Sequence, residues 1–160
     1  MEINIRKIQP TNDKTLSKII KDIFIEFDAP LVGTVYADPE TDHLSQVFKK
    51  ENSIYFIAEE KEILLGGCGI YPTNGLPDGC AELVKFYLSP SARGKGIGRL
   101  LMEQCIAAAT ELGYKKLYLE TFPELATAVS MYEKAGFKLL KQPLGNSGHF
   151  SCNVWMLKTL

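Results

Sequence analysis

The sequence lacks the cysteine and histidine spacing of a metal site. Its four cysteines form no C-x-x-C pair, and its only two histidines, His43 and His149, lie far apart in the chain. Structural zinc sites use such ligands at short, regular spacings, so no bound metal is expected. The cysteines also lack the pattern of a small disulfide-bonded domain, and we expect them to be reduced thiols.

An excess of charge of one sign and long apolar runs are absent as well. A net charge of −1 in 160 residues gives no overall positive field, so no nucleic-acid partner is expected. No apolar stretch approaches the roughly 20 residues of a membrane span. Residues 1–10 alternate polar and apolar side chains and do not form a cleavable apolar block. We expect a cytoplasmic protein with no membrane partner.

Internal repeats, low-complexity tracts and linkers are missing too. A chain of 160 residues that is 46% hydrophobic is expected to form a single domain over residues 1–160.

The first third of the chain predicts one strand and two helices. Residues 2–8 alternate as a strand does. The following segment has capping residues at 11–13 and a stripe of apolar side chains, which indicates an amphipathic helix, and a shorter helix is expected around residues 44–48. The loop 28–40 carries proline and glycine and is expected to cover another part of the molecule.

The remaining chain predicts a mixed sheet. Three β-rich runs at 53–60, 62–71 and 80–89 are separated by turn residues and indicate an antiparallel meander. A helix over 96–112 and a strand over 116–121 then complete a β-α-β crossover, which makes strands 80–89 and 116–121 parallel neighbours. A further helix from about Pro123 to Ala135 and strands at 137–142 and 152–158 end the chain. The expected class is α/β (α+β), with about seven mostly antiparallel strands flanked by helices.

The crossover carries a candidate anion-binding loop. Gly94, Gly96 and Gly98 lie where the helix begins, and helix N-termini at the carboxyl ends of strands bind anions. Residues 83–102 carry four positive charges and no negative charge, in a chain whose net charge is −1. Charge-assisted hydrogen bonds contribute about 1.5 to 3 kcal/mol each, so a few would hold a pyrophosphate. A flexible glycine-rich turn is the alternative.

Two common nucleotide motifs do not fit this loop. The G-x-x-x-x-G-K-[ST] pattern is absent, and G-x-G-x-x-G fails because Arg99 stands where the third glycine should be. A P-loop nucleotidase or a dinucleotide-dependent dehydrogenase is therefore disfavoured.

Two segments carry a resemblance to a known family. Residues 93–98, RGKGIG, match the R-x-x-G-x-G signature of the GNAT acetyltransferase superfamily. Residues 128–137, AVSMYEKAGF, are similar to its second signature, A-x-x-L-Y-x-K-x-G-F, with Met131 in place of leucine. The segments ELVKFYL and LGNSGHFSCNVWML further resemble an uncharacterised bacterial branch of small GNAT enzymes. The resemblance covers nearly the whole chain and implies the GNAT fold.

The resemblance implies acetyl-CoA as co-substrate and locates its site. Backbone groups of Phe86, Tyr87 and Leu88 would line the acetyl-pantetheine arm. The pyrophosphate would be bound by Arg93, Gly94, Lys95, Gly96, Ile97 and Gly98, with Arg99 assisting. Many relatives have an asparagine that contacts pantetheine three residues before the second signature, and here that position is Leu125.

The resemblance also suggests the catalytic groups. Tyr132 occupies the position of the family's general acid, which protonates the CoA sulfur; a core tyrosine is the alternative. Glu82 stands eleven residues before Arg93, where some GNAT enzymes carry a glutamate base. An exposed strand carboxylate, or one paired with Lys85, is the alternative reading of Glu82. Tyr36 and His149 are expected to bind substrate, and His149 or water could instead serve as the base.

These features predict an acetyl-CoA-dependent N-acetyltransferase. The leading acceptor is the primary amine of a small molecule or amino acid, acetylated by direct transfer in a ternary complex. A protein or peptide N-acetyltransferase and a non-catalytic acetyl-CoA-binding regulatory module remain as alternatives. The sequence leaves a homodimer open.

Overall fold

The computed structural model describes residues 2–32, 34–121, 126–145 and 154–160. Within them, one sheet is built from seven strands: β1 (Asn4–Lys7), β2 (Ile54–Glu60), β3 (Ile63–Tyr71), β4 (Cys80–Leu88), β5 (Lys116–Thr121), β6 (Lys138–Leu140) and β7 (Val154–Thr159). The α-helices of the described residues are α1 (Asp13–Glu26), α2 (Leu44–Val47), α3 (Ile97–Glu111) and α4 (Ala126–Lys134). Short 3-10 turns, including Val35–Ala37 and Pro39–His43, connect α1 to α2.

The strand order is β1-β2-β3-β4-β5-β7-β6, and β4 and β5 form the parallel pair among antiparallel neighbours. The predicted mixed sheet and its β4-α3-β5 crossover are therefore confirmed. The boundaries of α3 and β5 agree with the sequence to within one residue. The strand predicted at 137–142 is shorter than expected, since the chain bends at 141–142 ahead of Pro143.

Helices cover both faces of the sheet. On one face, α3 and α4 enclose a core that includes Leu83, Leu101 and Leu117. On the other face, α1 and α2 enclose a second core that includes Leu16 and Tyr55. No helix in the described ranges has the length and hydrophobicity that a membrane crossing requires.

A bulge in β4 and the short pairing of β4 with β5 position the candidate site. Val84 pairs with Gly69 and Tyr87 with Gly67, so two residues of β4 lie opposite one residue of β3. This is a β-bulge, and Lys85 within it has a left-handed φ of 55°. On its other side, β4 pairs with β5 over only three positions, ending at Glu82 and Tyr118. Past that point, a cavity is lined by residues of both strands.

Candidate active site

The glycine loop lies open beside the start of α3. Gly94 and Gly96 have φ angles of 74° and 79°, in the left-handed region that glycine adopts without steric cost. A Cβ atom built on either residue would meet no atom within 4 Å. Gly96 is the residue before the first turn of α3, so several backbone N–H groups of this turn lack a helical partner. The loop thus has the backbone conformation and the space that an anion site needs.

A large cleft of about 390 Å³ borders this loop. Its walls are the last turns of α1, the end of β4, the loop and α4. Most of the residues predicted to bind coenzyme line it: Phe86, Tyr87, Leu88, Arg93, Gly94, Gly96, Ile97, Gly98 and Arg99. Lys95 is exposed on the loop beside them. Tyr132 of α4 also lines the large cleft, so the structure brings both signature segments to one site.

The guanidinium of Arg93 is held by α1. It donates two hydrogen bonds to the carboxylate of Glu26, at 2.7 and 2.8 Å, and one to the carbonyl of Leu88 at 3.1 Å. It also lies 5.0 Å from the ring centre of Phe27. These hydrogen bonds from Arg93 hold the pKa of Glu26 below its usual value. Arg93 is therefore fixed at the edge of the large cleft. Its contact with Glu26 joins residues that are 67 positions apart in the chain.

Tyr132 is buried between aromatic rings. Phe86 and Phe137 pack against it with ring centres 5.9 and 5.8 Å away in edge-on geometry. Burial raises the pKa of the Tyr132 phenol above its usual value, so the hydroxyl stays protonated at neutral pH. No hydrogen bond from this hydroxyl to another described residue is found, and Tyr132 lines the large cleft, so the hydroxyl can donate to a molecule bound there.

Glu82 is a buried carboxyl group on β4. Only 3% of the residue is exposed, which excludes the reading of an exposed strand carboxylate. Thr73, in the turn after β3, donates a hydrogen bond of 2.5 Å to its Oε1 atom. Burial raises the pKa of Glu82 to about 7, helped by the charge of Glu120 and opposed by the Thr73 hydrogen bond and the charge of Lys85. A carboxyl group with this pKa can accept and release a proton near neutrality.

Glu82 and Tyr132 line the same small cavity. The small cavity, about 60 Å³, lies where β4 and β5 separate and opens toward Phe86 and Tyr87. Glu82 also lines a polar pocket of about 220 Å³ on the face covered by α1 and α2. Tyr132 thus lines both the large cleft and the small cavity, and Glu82 lines both the small cavity and the polar pocket.

A second carboxylate borders the small cavity. Glu120 of β5 lines it and accepts a hydrogen bond of 2.6 Å from the Tyr118 hydroxyl, which in turn accepts one of 3.0 Å from the Leu144 N–H. The sequence did not single out Glu120 or Thr73. Strand alternation places Glu120 on the same face as Tyr118, but the register that pairs Tyr118 with Glu82 across β5 and β4 is not encoded in the local spacing of either strand.

The bulge in β4 is supported from below by Tyr55. The Tyr55 hydroxyl donates a 2.7 Å hydrogen bond to the carbonyl of Lys85, and the ring lies across β3. A Cβ atom at Gly67 or Gly69 would approach that ring to 2.4 or 2.6 Å, so both positions require glycine. The Lys85 ammonium, 8% exposed, faces Asp38 at 4.0 Å.

Other predicted residues lie nearby or beyond the described chain. The Tyr36 ring packs on Phe24, which lines the small cavity, with 6.2 Å between ring centres. A substrate role for Tyr36 stays a prediction. His149 and Leu125 lie outside the described residues. Within the described ranges, no group of three or more His, Cys, Asp or Glu side chains is placed to hold a metal ion.

Comparison with known proteins gives consistent matches. The sequence profile of the Acetyltransferase (GNAT) family matches residues 18–137. The chain is 33% identical to the uncharacterized N-acetyltransferase YjgM of Escherichia coli over 157 residues, which covers 98% of this chain and 94% of that protein.

Solved structures share the fold. A GNAT-family acetyltransferase from Staphylococcus aureus superposes with a TM-score of 0.87 at 19% identity, covering 99% of both chains. The PaiA N-acetyltransferase of Thermoplasma acidophilum, crystallised with coenzyme A, superposes with a TM-score of 0.76 at 20% identity over the whole of both chains. The chain therefore belongs to the GNAT family of acetyl-CoA-dependent N-acetyltransferases.

Proposed function

We propose that the protein transfers the acetyl group of acetyl-CoA to the primary amine of a small molecule or amino acid, directly and within a ternary complex. One observation carries this proposal: Tyr132 lines both the large cleft and the small cavity, and Glu82 lines both the small cavity and the polar pocket. Coenzyme entering by the large cleft and amine entering by the polar pocket would meet at these two side chains.

Binding of the coenzyme is assigned to the large cleft. The loop from Arg93 to Gly98, together with Arg99, would bind the pyrophosphate through backbone N–H groups and positive charge. The apolar walls, to which Ile23 and Met131 contribute, suit the pantetheine arm and the thioester. Backbone N–H groups near Tyr87 or Leu88 would stabilise the oxyanion that forms on the carbonyl.

Glu82 is the proposed base. An alkylamine with a pKa of about 10.4 costs about 4.6 kcal/mol to deprotonate at pH 7, whereas an α-amino group near 8 costs about 1.4 kcal/mol. A carboxylate with a pKa of about 7 can take the ammonium proton at neutral pH. The neutral nitrogen would then attack the thioester carbon to form the C–N bond.

Tyr132 is the proposed acid. As the C–S bond breaks, its hydroxyl would give a proton to the departing sulfur, whose thiol pKa near 8.5 makes it a fair leaving group. The hydroxyl is protonated, and Tyr132 lines both the large cleft and the small cavity, which supports its action on a thioester bound there.

The size of the polar pocket favours a small acceptor. About 220 Å³ suits a molecule of amino-acid size more than a peptide chain. The regulatory alternative is disfavoured because a purely binding module has no need of a buried carboxyl group and a buried phenol that line one cavity. A cytoplasmic location fits the free thiols of Cys68, Cys80 and Cys105. The homodimer stays a prediction that light scattering would test.

A screen for CoA release tests the proposal. The purified protein is mixed with acetyl-CoA and, in turn, amino acids, polyamines, aminoglycosides and short peptides, and free thiol is measured. We expect release above the rate of hydrolysis with at least one small amine and loss of that release in the Glu82→Gln, Tyr132→Phe double variant. Tight CoA binding with no release for any amine would favour the regulatory module, and release with peptides alone would favour the peptide acetyltransferase.

A further inference from the structure

The reaction must export one proton in each turnover. An ammonium acceptor carries three N–H bonds, its acetylated product carries one, and the CoA thiol keeps one of the two protons released. The other proton passes to Glu82 when the acceptor is deprotonated, and it has to reach solvent before the next cycle. This argument rests on the proposed function, in which Glu82 is the base.

Glu82 itself has almost no contact with solvent. It is 3% exposed, and the Thr73 hydroxyl is its hydrogen-bond partner among the described residues. Thr73 is half-buried and lines the polar pocket, and the next residue, Asn74, is exposed. Glu82 lines the same pocket but is nearly inaccessible to solvent, so Thr73 is its more exposed hydrogen-bond partner on that side.

We infer that Thr73 is a positioning residue that holds the Glu82 carboxylate toward the small cavity and relays its proton to the polar pocket. A hydroxyl group suits both tasks because it donates to a carboxylate and accepts from a carboxylic acid. In the relay, the O–H bond of protonated Glu82 breaks as a bond forms to Thr73 Oγ1. The original hydroxyl proton of Thr73 passes to water, so that one proton enters and one leaves.

The chain fold supports this placement of Thr73. Tyr71, the last residue of β3, pairs with Glu82 across the sheet, so the turn begins next to the carboxyl group. Thr73 N–H donates to the Tyr71 carbonyl at 3.0 Å, and Leu76 N–H approaches the Thr73 carbonyl at 3.5 Å. The backbone of the turn therefore holds Thr73 in place, and its side chain is directed back onto β4.

Other titratable groups face Glu82, and their contributions to the pH profile have to be distinguished from its own. Cys80 and Lys85 lie on the same strand, and Tyr118 and Glu120 face it from β5. Across the polar pocket are Asp38, Glu40, Lys50 and Tyr71. A Glu82→Gln variant identifies the part of the pH profile that belongs to Glu82, since it leaves all of these groups in place.

The experiment compares Thr73→Val with Thr73→Ser. Valine keeps the shape of threonine and removes the hydroxyl, whereas serine keeps the hydroxyl. Three quantities are measured on an acceptor found in the screen. They are the profile of kcat/KM against pH, the dependence of kcat on the concentration of a tertiary-amine buffer, and the solvent deuterium isotope effect. A tertiary amine accepts protons but cannot form a stable amide. Thermal unfolding checks the fold, and Thr73→Ala replaces valine if that variant does not fold.

With valine, we expect the acidic limb of the profile to move up by roughly half a pH unit to one pH unit, because the carboxylate loses a hydrogen bond. We also expect kcat to fall by about tenfold, to recover with buffer concentration, and to show a larger isotope effect. Serine should behave as the wild type does. A role confined to folding would lower the melting temperature and leave these three readouts unchanged.

Two outcomes contradict the inference in different ways. If Glu82→Gln abolishes the acidic limb but Thr73→Val matches the wild type in limb, buffer dependence and isotope effect, Thr73 has neither role and the proposed function stands. If Glu82→Gln keeps the wild-type limb, Glu82 is not the base, and both the inference and that part of the proposed function are wrong.

Discussion

Tyr132 and Glu82 would divide the handling of protons between two side chains in different surroundings. Tyr132 is enclosed by aromatic rings, which favour its neutral form. Glu82 is equally buried, but a hydroxyl donor and a nearby ammonium moderate the effect of burial and bring its pKa to about 7. These surroundings suit Tyr132 to hold its proton until the thioester breaks. They suit Glu82 to exchange protons at neutral pH.

Removal of the Tyr132 hydroxyl tests its role as the acid. We expect Tyr132→Phe to lower kcat by roughly 10²-fold because the departing sulfur loses its proton donor, with little change in the Kd of acetyl-CoA. Steady-state kinetics and calorimetry measure the two quantities. Tyr114→Phe is the control, since its hydroxyl bonds to the Asn52 carbonyl away from the site. An unchanged kcat in Tyr132→Phe would show that the residue only fills the core.

The glycine loop can be tested with two glycines that flank α3. Gly96→Glu puts a carboxylate into the anion site, and we expect the Kd of CoA to rise by about 10²-fold or more. Gly113→Glu is the matched control. Gly113 also has a positive φ, 92°, and open space around it, but it follows the other end of α3. Equal affinity of the two variants, measured by calorimetry, would place the pyrophosphate elsewhere.

Between elements, the contact of α1 with the glycine loop controls the charge at the large cleft. The Glu26 carboxylate is bound to Arg93, the residue that starts the anion-binding signature. Exposed ion pairs contribute at most about 1 kcal/mol to stability, so losing this one should cost the fold little. Its larger effect would be electrostatic, because in the proposed site Glu26 would compete with a coenzyme phosphate for the Arg93 guanidinium.

The Glu26→Gln variant should therefore bind CoA more tightly. We expect the Kd to fall by about two- to fivefold at low ionic strength and the gain to disappear at about 1 M salt, where charges are screened within about 3 Å. Asp22→Asn, on the same helix and paired with the exposed Lys18, removes one negative charge away from the cleft and should change the Kd little. Weaker binding by Glu26→Gln would mean that the pair positions Arg93 for the coenzyme.

A second contact between elements, from β2 to the bulge of β4, can be measured by stability. Tyr55→Phe removes the hydrogen bond to the part-buried Lys85 carbonyl, and we expect the free energy of unfolding to fall by about 1 kcal/mol. Urea unfolding measures this change. Tyr71→Phe, in the same aromatic cluster near Phe48, should cost less, since no hydrogen bond of its hydroxyl is found among the described residues. Equal losses would show that the Tyr55 hydroxyl does not support the bulge.

The sequence predicted the elements better than the contacts between them. Apolar periodicity and turn residues located β4, α3 and β5, because these signals are local to each element. The bulge at Lys85 had no such signal, since lysine is not a residue that favours a left-handed φ. The Glu26–Arg93 and Thr73–Glu82 contacts depend on how distant segments pack, so spacing alone could not reveal them.

For the molecule as a whole, the buried carboxyl group of Glu82 makes stability depend on pH. Its pKa is about 7 in the folded protein against 4.5 ordinarily, so folding favours the protonated form. Ionisation of buried Glu82 therefore lowers the free energy of unfolding. This loss of stability is absent below pH 4.5, grows from there to pH 7, and is complete above pH 7. A difference of 2.5 pKa units corresponds to about 3 kcal/mol.

We expect Glu82→Gln to gain stability relative to the wild type as pH rises from 5 to 8, by about 2.5 kcal/mol. Urea unfolding at both pH values measures the difference. Glu59→Gln is the control: Arg6 lowers the pKa of Glu59, so its contribution is lost only toward acidic pH and stays constant over this range. An equal pH dependence in the wild type and Glu82→Gln would show that Glu82 is ionised without cost.

The short junction between β4 and β5 divides the sheet into two parts. Strands β1 to β4 form one part and strands β5, β7 and β6 the other, joined by three paired positions at 80–82 and 116–118. A ligand in the opening would touch both parts at once and brace them against relative twisting. Binding of a ligand in this one opening would then restrict the motion of both outer strands, β1 and β6.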